Sequence, residues 1–310
     1  MKIVSLPSSR ELVCCLGLWA CYYVLTYFYV GLQPMHLFLG AAFLLLYCST
    51  ELTRKLAVAL LPFVVFAVSY DWMRVVPNYQ VNPIDVRGLY QAERSIFGIF
   101  VDGDKVTLNE YFMAHCSPFA DFFAGLFYLC WVPVPVLFGV CLFFSGRREL
   151  YLRFALAFLL VNLIGFAGYY LHPAAPPWYV MKYGFEPILG TPGDVAGLAR
   201  FDELLGVNIF HSIYCHNSNV FAAVPSLHAA YMLIAFVYAV SGKCARWVQG
   251  LFAIICLGIW WTAVYSGHHY VIDVCLGILT SLLGILLLER VLLPMPSLKR
   301  AFVAYLSYIE

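Results

Sequence analysis

Two short stretches concentrate the side chains able to do acid–base or nucleophilic chemistry in an otherwise apolar chain. VPSLHAAYM (224–232) carries Ser226 and His228, and YSGHHYVIDV (265–274) carries His268, His269 and Asp273. His269 and Asp273 are four residues apart, a spacing that puts both on one helix face about a turn apart. A carboxylate bonded to one imidazole nitrogen fixes the tautomer and stabilises the imidazolium, which leaves the other nitrogen a nucleophile at neutral pH. His228 supplies the proton that a departing alkoxide needs, and then a base for the incoming alcohol or water. Two histidines facing one phosphorus atom permit in-line displacement through a phosphohistidine, with no metal required.

The elements that must position these groups are membrane helices. Of 310 residues, 63% are hydrophobic and 11% charged, against about 25% charged in an ordinary soluble domain. A spanning helix needs about 20 mostly apolar residues. Eight stretches qualify, over 11–30, 35–50, 56–76, 120–144, 150–171, 222–241, 247–265 and 268–289. The first lacks a small-residue cleavage site and is expected to remain as a helix. The fold class expected is therefore an all-α polytopic membrane protein with about eight transmembrane helices.

With eight spans, Lys2, Arg10, Arg54, Lys55, Arg147, Arg148, Arg153, Lys243, Arg246, Arg290, Lys299 and Arg300 fall on one side. Only Arg74, Arg87, Arg94, Lys105, Lys182 and Arg200 fall on the other. The positive-inside tendency then places both termini in the cytoplasm and the loops 77–119 and 172–221 outside. Residues 1–55 read as N-terminal membrane helices, 56–293 as a catalytic membrane core, and 294–310 as a short cytoplasmic tail. The starts of spans six and eight share the outer surface, which lets His228, His269 and Asp273 converge. Pro225 suits the first helical position of span six, and Ser266 and Gly267 suit the cap of span eight. Helix N-termini favour a phosphate there.

The remaining polar features have plainer readings. A net charge of +1 offers no basic stripe for nucleic acid. Cys14, Cys15, Cys21, Cys48, Cys130, Cys141, Cys256 and Cys275 lie in apolar segments and read as small hydrophobes. Cys244 is cytoplasmic in this topology, and Cys116 and Cys215 are outside, where a disulfide is permitted. The spacing of His211, Cys215 and His216 fits no zinc pattern; they line a headgroup pocket or sit in a wet loop. Trp178 and the run of tyrosines read as interfacial belt residues, and Pro176 and Pro177 as stiffeners of the exit from span five. IDVRGLYQAERSIFGIF (84–100) reads as an amphipathic helix on the outer surface, a rim over the site.

P-S-L-H (225–228) and H-x-x-x-D (269–273) resemble the second and third motifs of the type-2 phosphatidic acid phosphatase superfamily, over roughly residues 150–290. HPAAPPWY, VFAAVPSLHAAY, YSGHHYVIDV and NPIDVRGLYQAERSIFG look in addition like its inositol phosphorylceramide synthase branch. The resemblance implies a six-helix catalytic core with His269 as nucleophile, Asp273 as its orienting acid and His228 as general acid and base. It also implies phosphatidylinositol as donor, ceramide or dihydroceramide as acceptor, and no cofactor.

Hydrolytic members carry Lys or Arg in the first motif and a Ser-Arg pair before the third-motif histidine. Here residues 172–179 hold no Lys or Arg, and the pair is Thr262 and Ala263. That departure favours transfer over hydrolysis and leaves the phosphate's cationic clamp open. Arg87 is the first candidate, with Arg94, Lys182 and Arg200 behind it; Ser226 and His268 complete the substrate-binding set. The alternative is a lipid phosphate phosphatase, with water as acceptor. A transporter would place polar groups near mid-span on several helices, whereas here they cluster at outer span ends. The outer face is periplasmic in a bacterium and lumenal in the Golgi or endoplasmic reticulum of a eukaryote.

Overall fold

A backbone in hydrocarbon must satisfy its own N–H and C=O groups, so apolar runs of this length fold as helices. The structure is a computed structural model that describes residues 7–214 and 219–310. In chain order its helices are α1 (Ser9–Tyr29), α2 (Pro34–Ser49), α3 (Glu51–Ala59), α4 (Leu61–Trp72) and α5 (Arg87–Phe97). A hairpin of β1 (Ile99–Val101) and β2 (Asp104–Val106) precedes α6 (Leu108–Ala114), α7 (Pro118–Leu129), α8 (Pro133–Phe144) and α9 (Arg148–Leu171). Then come α10 (Pro177–Tyr183), α11 (Ala199–Leu205), α12 (Ile209–Tyr214), α13 (Leu227–Ser241), α14 (Arg246–Tyr265), α15 (Val271–Leu287) and α16 (Pro296–Ile309).

The helical fold class holds, and each of the eight expected spans corresponds to one of these helices or a pair. Among the described residues α1, α9, α14 and Val271–Leu292 are long and apolar enough to cross a bilayer, and α2 and α13 are shorter apolar helices. The other two expected spans are broken: α3 and α4 meet at 45°, and α7 and α8 at 41°. Proline causes the first break. Pro62 has no N–H to give the carbonyl four residues back, and Tyr305 donates to Val58 O at 2.6 Å instead. Tyr151 likewise donates to the Ala59 carbonyl at 2.6 Å. Pro133 and Pro135 act alike at the second break, and that bend turns Trp131 inward to the cavity described below.

Among the described residues the small β1–β2 hairpin holds the two strands of an otherwise helical fold. Its turn is Asp102–Gly103, both at positive φ, the sequence signal of a two-residue hairpin loop.

The bundle is organised on α9, which packs against α4, α8, α13 and α15. Tyr151, Phe154, Phe158, Val161 and Asn162 of α9 are completely buried. Several polar groups on and beside this layer are paired, which lowers the cost of burying them. Tyr231 donates to Asn162 Oδ1 at 2.5 Å. Arg153 meets Glu289 at 2.6 Å, and Tyr238 donates to the same carboxylate at 2.7 Å. α13 is wedged among α9, α14 and α15. α15 crosses its start so closely that a Cβ added at Gly277 would stand 2.1 Å from Ser226 O.

Candidate active site

The close crossing at Gly277 brings the two histidine segments together. Ser226, completely buried, is the N-cap of α13, and its Oγ accepts from Ala229 N at 3.4 Å. Pro225 therefore lies before the cap rather than at the first helical position. The Ser226 N–H donates to Asp273 O at 3.0 Å, stitching the start of α13 to the first turn of α15. His228 follows in the first turn of α13.

The turn between α14 and α15 carries the other histidines. Ser266 and Gly267 were expected to cap α15, but they close α14 instead. Gly267 sits at φ +77°, a conformation that disfavours any residue with a Cβ. Gly267 N–H bonds Val264 O at 3.1 Å and His268 N–H bonds Ala263 O at 3.1 Å, the paired bonds of a Schellman ending. The His269 N–H also reaches Ala263 O, at 2.9 Å. α15 is capped from within: Asp273 Oδ2 accepts from Tyr270 N at 2.8 Å.

The three residues expected to converge form one relay. Asp273 Oδ2 lies 3.5 Å from His269 Nδ1, and His269 Nε2 lies 3.0 Å from His228 Nδ1. Asp273 is completely buried and His269 nearly so, at 5% exposed. With the carboxylate at Nδ1, the proton belongs on that nitrogen, leaving the Nε2 lone pair to accept from His228 Nδ1–H. His228 is flanked by Tyr128 at 4.9 Å and Trp131 at 4.4 Å between ring centroids.

The relay opens on a cavity of about 250 Å³, whose lining includes His228, His268, His269, Tyr70, Tyr169 and Trp178. Trp178 is thus a wall of the site, only 6% exposed, and not a residue of the interfacial belt. Pro176 lines the same cavity, and Pro177 opens α10. His268 bonds Ser266 Oγ through Nδ1 at 2.9 Å and packs on Tyr214 at 4.5 Å. Burial above all, with the neighbouring His269, holds its pKa down at about 3, so its ring is neutral.

The cationic candidates are elsewhere. Among the described residues no Lys or Arg lines the cavity, and residues 215–218 contain none. Arg87 lies over the Phe185 ring at 4.6 Å. Arg94 donates to Lys105 O at 2.5 Å. Lys182 pairs with Asp194 at 2.6 Å, a contact that raises the Lys182 pKa. Arg200 pairs with Asp121 at 2.6 Å. His211 bonds Asp202 at 3.2 Å, while Cys215 and His216 lie outside the described residues.

Two residues that sequence reasoning missed hold the catalytic turn. Glu93, on α5 and completely buried, accepts from Val271 N at 3.0 Å and Ile272 N at 3.1 Å. Asn109, on α6, donates to Val264 O at 2.8 Å and His269 O at 2.9 Å. For Glu93 a signal exists: α5 runs Leu89–Tyr90–Gln91–Ala92–Glu93, with the acid one turn beyond Leu89 on the buried face. α5 itself falls within the amphipathic stretch expected at 84–100.

The sequence model of the PAP2 superfamily matches residues 101–287, a span that includes both histidine motifs. A phosphoinositol dihydroceramide synthase of Bacteroides thetaiotaomicron is 58% identical over 305 residues, covering 98% of this chain and 100% of that protein. The catalytic subunit of inositol phosphorylceramide synthase from Saccharomyces cerevisiae is 30% identical over 248 residues, 77% of this chain and 57% of the yeast protein. The inositol phosphorylceramide synthase of Candida albicans is 31% identical over 169 residues, 50% of this chain and 34% of the Candida protein. No solved structure matches the chain. With more than half of its length matched, both motifs included, the chain belongs to the PAP2 superfamily.

Proposed function

We propose that this integral membrane enzyme moves a phosphoinositol headgroup from phosphatidylinositol to ceramide or dihydroceramide through a phosphohistidine. The observation that carries the chemistry is the alignment of Asp273, 3.5 Å from His269 Nδ1, with His269, hydrogen-bonded through Nε2 to His228, at the wall of a cavity. The headgroup and acceptor rest on whole-length likeness to the Bacteroides protein.

In the first step His269 Nε2 attacks phosphorus, and the bond from phosphorus to the diacylglycerol oxygen breaks. His228, in its imidazolium form, donates its Nδ1 proton to that oxygen and is left as the neutral imidazole, and diacylglycerol leaves. Asp273 stabilises the positive charge that develops on the His269 ring. In the second step His228 removes the proton of the ceramide primary hydroxyl, whose oxygen attacks phosphorus as the P–N bond breaks. Both histidines return to their starting states. The 3.0 Å bond between the rings leaves no room for phosphorus, so the phosphodiester enters by replacing that bond, and His228 gives way.

A cavity wall without Lys or Arg suits the single charge of a phosphodiester better than the double charge of a monoester. That favours a transferase over a phosphatidic acid phosphatase. The active site is assigned to the non-cytoplasmic face, on the distribution of basic residues, with 12 on the opposite side against 6 on this one.

The test is a detergent–lipid assay on purified protein with chelator present. Labelled phosphatidylinositol is offered with and without dihydroceramide, in parallel with phosphatidic acid, to wild type and His269→Ala. A sphingolipid-linked phosphoinositol that requires His269 is the expected product. Phosphate release from phosphatidic acid, indifferent to the sphingolipid, would replace this reading with the phosphatase.

A further inference from the structure

The turn that carries His269 is held from outside its own helices. A helix start is ordinarily capped by a short polar residue just before it. That position in α15 is Tyr270, and only its own N–H is served by Asp273. The next two N–H groups, of Val271 and Ile272, take one oxygen each of a carboxylate 178 and 179 positions away in sequence. Burying a carboxylate completely is costly unless every lone pair is used. Burial does push the Glu93 carboxyl up, against the two backbone N–H groups that favour its charge. On the opposite side of the turn Asn109 spans the Val264 and His269 carbonyls with its amide group. The acid thus acts where the first turn of α15 fixes Asp273, and the amide acts on the His269 backbone itself.

We propose that Glu93 is a positioning residue for the phosphotransfer. By bonding the Val271 and Ile272 N–H groups it fixes the first turn of α15, and with it the Asp273–His269 pair. By occupying those donors it also denies them to the substrate, so this helix end is a support for the nucleophile and not a phosphate-binding site. Asn109 is its counterpart on the carbonyl side. The inference rests on the reading of His269 as nucleophile.

The test is a double-mutant cycle on purified full-length protein, with kcat and KM measured for phosphatidylinositol at saturating dihydroceramide. Glu93→Gln keeps the shape but sets an amide NH₂ against one N–H. It is expected to lower kcat about 10–100-fold, the scale of an ångström-sized misplacement, with KM within about twofold. In an Asp273→Asn background the same change is expected to cost less than about twofold, because the two residues act through one another. Losses that multiply in full, or a Glu93→Gln enzyme at wild-type kcat, would overturn the proposal. If Glu93→Gln yields no monodisperse protein, Asn109→Ser reads the turn from its other side. A loss confined to kcat and absorbed by Asp273→Asn is expected, and a change in KM alone would overturn the role. Should wild type make no phosphoinositol sphingolipid but hydrolyse a lipid phosphate, the headgroup reading fails. The cycle is then run on that hydrolysis, where Glu93 is judged independently.

Discussion

The start of α13 presents His228 and the turn between α14 and α15 presents His269 to the same cavity, and they hold these two rings in opposite ways. His269 is fixed at its backbone N–H by Ala263, at its carbonyl by Asn109 and at its ring by Asp273. His228 has two aromatic faces beside it and one ring bond, to His269. Carboxylates gather at the α15 end, where Asp273 and Glu93 take three successive N–H groups, while α13 is capped by a neutral serine. A nucleophile gains from preorganisation, since every misplacement raises the barrier, and anions beside it favour the cationic phosphoimidazolium. A proton carrier must serve the leaving oxygen and then the attacking one, and must vacate a 3.0 Å contact to admit phosphorus. Rigid nucleophile and yielding acid are two requirements of one reaction.

Removing each histidine in turn tests that division most severely. His269→Ala is expected to reduce transfer by at least about 10³-fold with any donor, because no covalent intermediate forms. His228→Ala is expected to cost about 10²–10⁴-fold with phosphatidylinositol, the usual worth of a general acid–base. With an inositol phosphodiester of nitrophenol, whose leaving group departs without a proton, His228→Ala should recover a rapid first step and accumulate labelled phosphohistidine. A nitrophenol burst, with protein-bound label that survives alkali and is lost in acid, checks it. Equal losses on both donors for both variants would break the comparison.

The distance between the two regions is set at Gly277. A methyl group there would collide with the Ser226 carbonyl, and both belong to backbones pinned by the Ser226–Asp273 bond. Overpacking of this kind costs about 1–3 kcal/mol. Gly277→Ala is therefore expected to lower the melting temperature in detergent and to cut kcat about tenfold, by parting His228 from His269. Lowered stability with unchanged kcat would show that the 3.0 Å contact is dispensable.

Why the histidines were legible and their supports were not follows from the range of the interactions. His269 and Asp273 sit four residues apart and His228 two residues after its cap, so local periodicity exposes their chemistry. Glu93 and Asn109 reach the catalytic turn across 178 and 160 positions; helix periodicity marks Glu93 as facing inward but does not say what either side chain meets. Ser266 and Gly267 end α14 and do not cap α15, in keeping with the preference of glycine for the position just after a helix end. Trp131 was lost inside one uninterrupted span, when Pro133 and Pro135 beside it already marked a bend. Arg87 and Lys182 are candidates because the family's usual cationic clamp is missing here, yet exposed charges are the groups most readily spent on partners outside the cavity.

The smallest expected effect concerns how loosely His228 is held. Trp131 lies 4.4 Å from the His228 ring and stacks on Tyr231 at 5.5 Å, so the indole is braced from behind and limits where the imidazole can swing. Trp131→Phe keeps an aromatic face with less area, and aromatic pairs contribute about 0.5–1.5 kcal/mol beyond burial. Since about 1.4 kcal/mol is a tenfold change in rate, kcat is expected to fall a few-fold at most. The loss should appear with phosphatidylinositol and vanish with the nitrophenol donor, whose first step does not use the His228 proton. Single-turnover measurements on the two donors separate these outcomes. A loss of the same size on both would mean that Trp131 shapes the cavity for the headgroup and does not restrain the acid.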